Sequence, residues 1–260
     1  MISLGRTIAI VNQKGGVGKT TSAVNLAACV GAHGYRVLLC DIDPQGNATS
    51  GLGVNKRSVQ QSTYDMIIGS VPAEEILLHT DFQNLDLLPA NINLAGAELE
   101  VSMLDNRESR IRRALAPLKA NYDFIFLDCP PSLGLITLNA LCAVDTVLVP
   151  IQCEYYALEG LSQLMGTIRQ VKRRYNSLIE LEGVLLTMYD GRLNLTQQVV
   201  QEVKRFFPQK VYATVIPRNV RLSEAPSFGQ PVWYYDRSSR GAQAYDALAV
   251  EFLKKNGKQQ

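Results

Sequence analysis

The run Lys14-Gly15-Gly16-Val17-Gly18-Lys19-Thr20-Thr21 carries the residue types needed to hold a phosphate. Glycines let successive backbone N–H groups converge on anionic oxygens, and a helix that follows at once adds its positive N-terminal end. Lys19 is placed to reach the terminal phosphates, and Thr20 to offer its hydroxyl to Mg2+. The spacing meets G-x-x-x-x-G-K-[ST] only in a shifted form: Gln13 stands where the first glycine is usual, and Lys14 follows it. A second candidate is Asp128, which ends the apolar run Phe124-Ile125-Phe126-Leu127 and precedes Cys129-Pro130-Pro131. A carboxylate at the end of a buried strand can hold Mg2+, directly or through water. Alone, such an aspartate more often serves a turn or a helix cap.

Elements that could position these residues alternate along the chain. Continuous apolar runs at 7–11, 37–40, 85–88, 124–127, 146–149, 183–187 and 211–216 predict buried strands, because nothing in them alternates. Helical patterns cover 19–32, 110–118, 133–143, 159–175, 194–207 and roughly 241–255. In the fifth of these, Leu195, Val199, Val200, Val203, Phe206 and Phe207 share one face, and Pro208 stops it. Strand–helix alternation of this kind predicts an α/β fold: a mostly parallel twisted sheet of about seven to eight strands with helices on both faces. With no repeat or linker in sight, residues 1–260 are expected to form one domain, with 1–6 a short lead and 256–260 a disordered tail. The least regular part is 46–108, where helices can be placed only loosely.

Composition sets further bounds. The 260 residues are 47% hydrophobic and 19% charged, enough for one filled core and unlike a disordered chain. The net charge of +2 hides an asymmetry, net −3 over 1–150 and net +5 over 151–260. A basic C-terminal part suits an anionic partner, and ordinary solvated faces would give the same count. Cys29, Cys40, Cys129, Cys142 and Cys153 show no CxxC spacing and read as small buried hydrophobes of a reducing compartment. With no signal-peptide pattern and no run of ~20 apolar residues, a soluble cytoplasmic protein is expected.

Lys14 within the glycine loop resembles the deviant Walker A motif, K-G-G-x-G-K-[ST], of the ParA/MinD family of P-loop ATPases. The resemblance implies ATP and Mg2+ as ligands and a homodimer that sandwiches two nucleotides, with Lys14 crossing to the partner's phosphates. Phosphate contacts are then implied for Gly15, Gly16, Val17, Gly18, Lys19, Thr20 and Thr21. The segment Asp41-Ile42-Asp43-Pro44-Gln45-Gly46-Asn47 resembles the family's D-x-D-P-Q-G-N switch. By that likeness Asp43 orients the attacking water, Asp41 supports the Mg2+ site, and Asp128 completes a Walker B strand. Lys14, Lys19 and Asp43 are the implied catalytic set; Thr20, Asp41 and Asp128 the implied metal set.

The likeness extends over essentially the whole chain and is closest to the ParA/Soj type. Residues 183–192 resemble its late-strand segment, and Ile216-Pro217-Arg218-Asn219-Val220-Arg221-Leu222-Ser223-Glu224-Ala225-Pro226 matches one of its specific signatures. This implies Pro217 and Asn219 as adenine contacts and Arg192, Arg218 and Arg221 as contacts to nonspecific double-stranded DNA. Lys204 and Arg205 could extend that patch. No helix-turn-helix or zinc finger is visible, so contacts to phosphates without base readout are expected. The implied activity is slow ATP hydrolysis serving chromosome or plasmid partition, nucleoid-associated and stimulated by a ParB/Spo0J-type centromere-binding protein. Other cargoes, such as carboxysomes or chemoreceptor clusters, would use the same chemistry. A MinD-like membrane regulator needs a basic amphipathic end that inserts into lipid, and residues 248–260 read instead as the tail of a core helix. A nitrogenase-iron-protein-like redox role and a synthetase of the dethiobiotin type are weaker still.

Overall fold

The computed structural model describes residues 5–154 and 157–257, so 1–4 of the expected lead at 1–6 and 258–260 of the expected tail at 256–260 lie outside the described residues. Seven strands form one sheet: β1 Arg6–Ile10, β2 Val37–Asp41, β3 Leu78–His79, β4 Leu85–Leu88, β5 Phe124–Asp128, β6 Thr146–Gln152 and β7 Glu180–Thr187. Around it stand α1 Lys19–Ala32, α2 Asn47–Gly51, α3 Thr63–Ile68, α4 Ala97–Ser102, α5 Arg110–Leu115, α6 Leu135–Ala143, α7 Ala157–Arg174, α8 Asn194–Phe206, α9 Val220–Glu224, α10 Val232–Tyr235 and α11 Arg240–Lys255. The strand order is β3-β4-β2-β5-β1-β6-β7, parallel throughout except for the antiparallel edge pair β3–β4.

Alternate residues of each central strand enter different cores, which is why their runs are apolar without a break. Leu38, Cys40, Ile125, Leu127, Val147 and Val149 pack on one side. Val37, Leu39, Phe124, Phe126 and Leu148 pack on the other, against α1 and α11. Phe252 of α11 meets the Phe124 and Phe126 rings at 5.0 and 5.5 Å between centroids.

Three expectations need correction. Residues 211–216 are not a strand; they run beside β7 through single bridges at Val211 and Pro217. Glu251 of α11 accepts the N–H groups of Ala213 and Thr214 at 2.9 Å each; Thr214, the next residue after Tyr212 that would face β7, is thereby taken out of the ladder. The helix expected at 110–118 ends at Leu115, where Pro117 opens a separate 3-10 turn. On α8 only Val199 and Val203 of the expected stripe are buried, while Leu195 and Phe206 face outward. The irregular stretch 46–108 resolves into short elements. α3 begins in a capping box between Ser62 and Asp65, and a 3-10 turn at Ile92–Ala95 leads into α4.

Candidate phosphate-binding active site

The loop between β1 and α1 sits at the carboxyl ends of the central strands, where open α/β sheets bind ligands. Gly16 and Gly18 hold φ of 74° and 84°, a left-handed backbone that costs a side-chain-bearing residue 1–2 kcal/mol or so. A Cβ at Gly15 or Gly16 would meet nothing within 4 Å, so the cradle opens outward. Two side chains fix its base. Asn12 donates from Nδ2 to the Pro150 carbonyl at 2.8 Å and accepts the Lys14 N–H at 2.9 Å. The Thr187 hydroxyl lies between the carbonyls of Val17 (2.8 Å) and Ile151 (3.0 Å), donating to one at a time.

The two lysines of the loop differ. Lys19 is buried, with its ammonium turned over the loop to the Lys14 carbonyl at 3.1 Å. Burial lowers its pKa, and the charges of Asp128, Cys129 and Asp43 oppose that shift. Lys14 is half-exposed and ion-paired with Glu154 of its own chain.

Asp41 and Asp128 face each other as register partners at the ends of β2 and β5, both fully buried. Asp41 is held: its Oδ2 accepts the Thr49 N–H and hydroxyl at 2.8 and 2.7 Å, and its Oδ1 accepts the Asp43 N–H at 3.2 Å. Burial pushes its pKa up to about 6 against these hydrogen bonds. Neither oxygen of Asp128 has a hydrogen-bond partner of full geometry, although the Thr20 hydroxyl is near enough to lower its pKa. Burial first, then the Asp41 charge, raises the Asp128 pKa well above the usual carboxylate range. Orphaned buried oxygens beside a hydroxyl and a second carboxylate fit a divalent cation, which would relieve both desolvation and repulsion. Among the described residues no group of three or more His, Cys, Asp or Glu could hold a metal alone. The remaining ligands must be water and phosphate oxygens. Asp43, nearly buried, accepts the Gln45 N–H at 2.9 Å, which fixes the turn leading to α2.

Beside the loop lies a cavity of about 330 Å3, lined by Gly18, Thr21, Met188, Pro217, Arg218 and Asn219 among others. Pro217 and Asn219 thus stand where a base could follow from phosphates held at Gly18 and Thr21. Asn219 also caps α9, accepting the Arg221 N–H at 3.0 Å, and Met188 adopts a left-handed φ of 49° at the cavity wall. The bridge between Tyr189 and Pro217 brings the candidate arginine segments side by side. All three arginines are exposed. Arg192 makes a two-pronged pair with Asp190 (2.9 and 2.6 Å), and the Arg218 charge acts on that same carboxylate. Arg221 pairs with Glu224 at 2.7 Å and Asp236 at 3.1 Å. Sequence reasoning did not single out Asn12, Thr49 or Thr187 as functional; Asn12 and Thr187 are polar residues at or just past an apolar strand, and Thr49, inside α2, carries no such signal.

Residues 5–181 match the family profile described as "AAA domain". The chain is 59% identical to the sporulation initiation inhibitor protein Soj of Bacillus subtilis, over 95% of this chain and 98% of that protein. It is 53% identical to the chromosome partitioning protein ParA of Myxococcus xanthus, over 98% and 90% respectively. Among solved structures, cobyrinic acid a,c-diamide synthase from Mycobacterium smegmatis with bound ATP analog and magnesium superposes with a TM-score of 0.84 at 38% identity, over 99% of this chain and 98% of that one. With its shifted phosphate loop, paired strand-end aspartates and full-length identity to partition proteins, the chain belongs to the ParA/Soj family of chromosome-partitioning P-loop ATPases.

Proposed function

We propose that this ATPase is a nucleotide-controlled DNA-binding switch that works as a sandwich dimer in the cytoplasm, on the nucleoid. ATP occupies the cradle with its phosphates on the N–H groups of 15–21 and its base in the cavity against Pro217 and Asn219. Thr20 and Asp128 hold Mg2+, with Asp41 supporting the site from the neighbouring strand. The ion, when bound, neutralises charge on the terminal phosphates. Lys19 adds a positive charge from inside the subunit, and Asp43 orients the attacking water. Lys14 supplies a second cation in trans, where charge develops on the transferred phosphoryl group.

The observation that carries this reading is the division of labour between the two lysines. Lys19 is buried over its own cradle, whereas Lys14 stands at the rim, half-exposed, in a pair that a second subunit's phosphates could replace. Dimerisation then aligns two sets of Arg192, Arg218 and Arg221, and two linked weak contacts hold DNA far more tightly than one. Because arginine recognises phosphate by charge and shape, binding is independent of sequence and weakens with salt. A ParB/Spo0J-type protein stimulates hydrolysis and releases the dimer. The partition role is favoured over a small-molecule synthetase because the partition proteins match at higher identity than the synthase does.

Analytical ultracentrifugation with ATP, ADP and no nucleotide, together with turnover measured with and without duplex DNA and the centromere-binding protein, tests the switch. A dimer with ATP alone and stimulated turnover are expected. A chain that stays monomeric with ATP contradicts it.

A further inference from the structure

Residues 92–103 form a short helical run that is apolar on two faces. Leu94, Ala97 and Val101 are buried and pack inward, where α4 meets α3 and α6. The opposite stripe, Ile92, Ala95, Leu99 and Met103, is exposed; the three large side chains are 67%, 73% and 85% accessible. Spacing of three, four and four aligns these four residues along one line. The line is about 16–18 Å long, the span of roughly three helical turns. Large apolar side chains grouped on a surface mark an interaction site more often than single ones do.

The rim of this stripe is mainly acidic. Glu98, Glu100 and Asp105 are exposed along it, and no Lys or Arg occurs between Ile92 and Asn106. Arg107, which follows, is paired with Glu108 at 3.1 Å and reaches back to the Ser102 carbonyl at 3.3 Å, at the Met103 end of the stripe. Such a surface suits a basic amphipathic helix laid into it, apolar face down and cations over the carboxylates. A second copy docking face to face by a two-fold axis would set these carboxylates against themselves.

The stripe is also wired to the site. The Ala90 N–H, two residues before Ile92, donates to the Thr49 hydroxyl at 2.9 Å, and that hydroxyl donates to Asp41 at 2.7 Å. On the other side, Glu98 accepts the Ile136 N–H at 3.4 Å in the first turn of α6, the helix that follows the loop leaving Asp128. The helical run and the residue leading into it therefore touch the segments behind both strand-end aspartates. A partner that shifts α4 moves the supports of Asp41 and of the Asp128 loop together.

We propose that the Ile92–Leu99–Met103 stripe with its acidic rim is the docking surface for a basic amphipathic helical segment of the partner that stimulates hydrolysis. The inference rests on the reading of this chain as a partner-stimulated ATPase. Its test compares the full-length wild type with Leu99→Glu/Met103→Glu and with Met103→Leu. Each is assayed for basal turnover, ATP-dependent dimerisation and stimulation by the centromere-binding protein. Both residues involved are surface positions, and a thermal melt verifies folding. The double variant is expected to keep basal turnover and dimerisation while the partner concentration needed for half stimulation rises roughly tenfold or more. Met103→Leu keeps normal stimulation. Undiminished stimulation of the double variant overturns the docking surface and leaves the functional reading intact. Loss of dimerisation overturns it in favour of a contact between copies. A wild type that the partner does not stimulate sinks the functional reading, and this inference with it.

Discussion

Asp41 and Asp128 occupy matched positions on adjacent parallel strands, fully buried, one held by three hydrogen bonds and the other with neither oxygen in a hydrogen bond of full geometry. Burial disfavours the charged state of both, and the Asp41 charge adds to this at Asp128, an electrostatic cost that a cation would relieve.

Asp128→Asn should therefore stabilise the nucleotide-free protein, by on the order of 2 kcal/mol, while abolishing Mg2+-dependent hydrolysis. Thermal melts in EDTA check the first effect and turnover checks the second. The pH dependence has a definite sign. The Asp41 pKa rises from an ordinary 3.8 to about 6 on folding, so its contribution is intact below 3.8 and is lost as pH rises through about 6. In EDTA the wild type should lose stability over that window relative to Asp41→Asn. A flat difference between the two contradicts the burial argument.

Lys14→Ala should bind nucleotide normally yet fail to form the ATP dimer or to respond to stimulation. Glu154→Gln should do the reverse on dimerisation, since it frees Lys14 from its intrachain pair. A half-exposed ion pair is worth at most about 1 kcal/mol and the dimer frees two of them, so the gain should not exceed about fivefold per subunit, or roughly thirtyfold in the dimer constant. Sedimentation of the two variants with ATP and Mg2+ measures both.

Thr187→Val keeps the side-chain shape but leaves the Val17 and Ile151 carbonyls without their shared donor. A loss of about 1–3 kcal/mol in folding stability is expected, with weaker nucleotide binding because Val17 lies in the cradle. Titration with a fluorescent ATP analogue and a melt on the same sample test this. Unchanged affinity with lowered stability would confine Thr187 to the fold.

Arg192 and Asp190 should act on DNA in opposite directions. Arg192→Ala should weaken binding about equally for all sequences and reduce the salt slope by about 1 per subunit. Asp190→Asn releases the guanidinium from its two-pronged pair and should strengthen binding. Filter binding over a salt series with the ATP form distinguishes them; weaker binding by Asp190→Asn would show that the pair positions Arg192.

Much of this was legible in the residues. The strand–loop–helix around Lys19 is visible because a glycine-rich turn and an apolar run each constrain the backbone locally, and α1 spans the residues its pattern predicts. Asp128 follows from the same logic, whereas Asp41 is singled out only through the family likeness. What stayed hidden depends on partners far along the chain. Thr187 reaches the loop 170 residues away, and Glu251 interrupts a strand 37 to 38 residues before it. Periodicity shows that α8 is amphipathic, but only packing decides that Val199 and Val203 are covered while Leu195 and Phe206 are not. The roles of the loop and switch residues came from family likeness. The geometry adds that Arg192 and Arg221 already hold carboxylates, with which a DNA phosphate would have to compete.

The most direct test of the account is capture of nonspecific duplex DNA by the purified full chain with ATP and Mg2+, with ADP, and without nucleotide, at two salt concentrations. The account predicts binding with ATP alone, weakened steeply at the higher salt. Equal binding in all three states, or none in any, contradicts a nucleotide-controlled DNA switch.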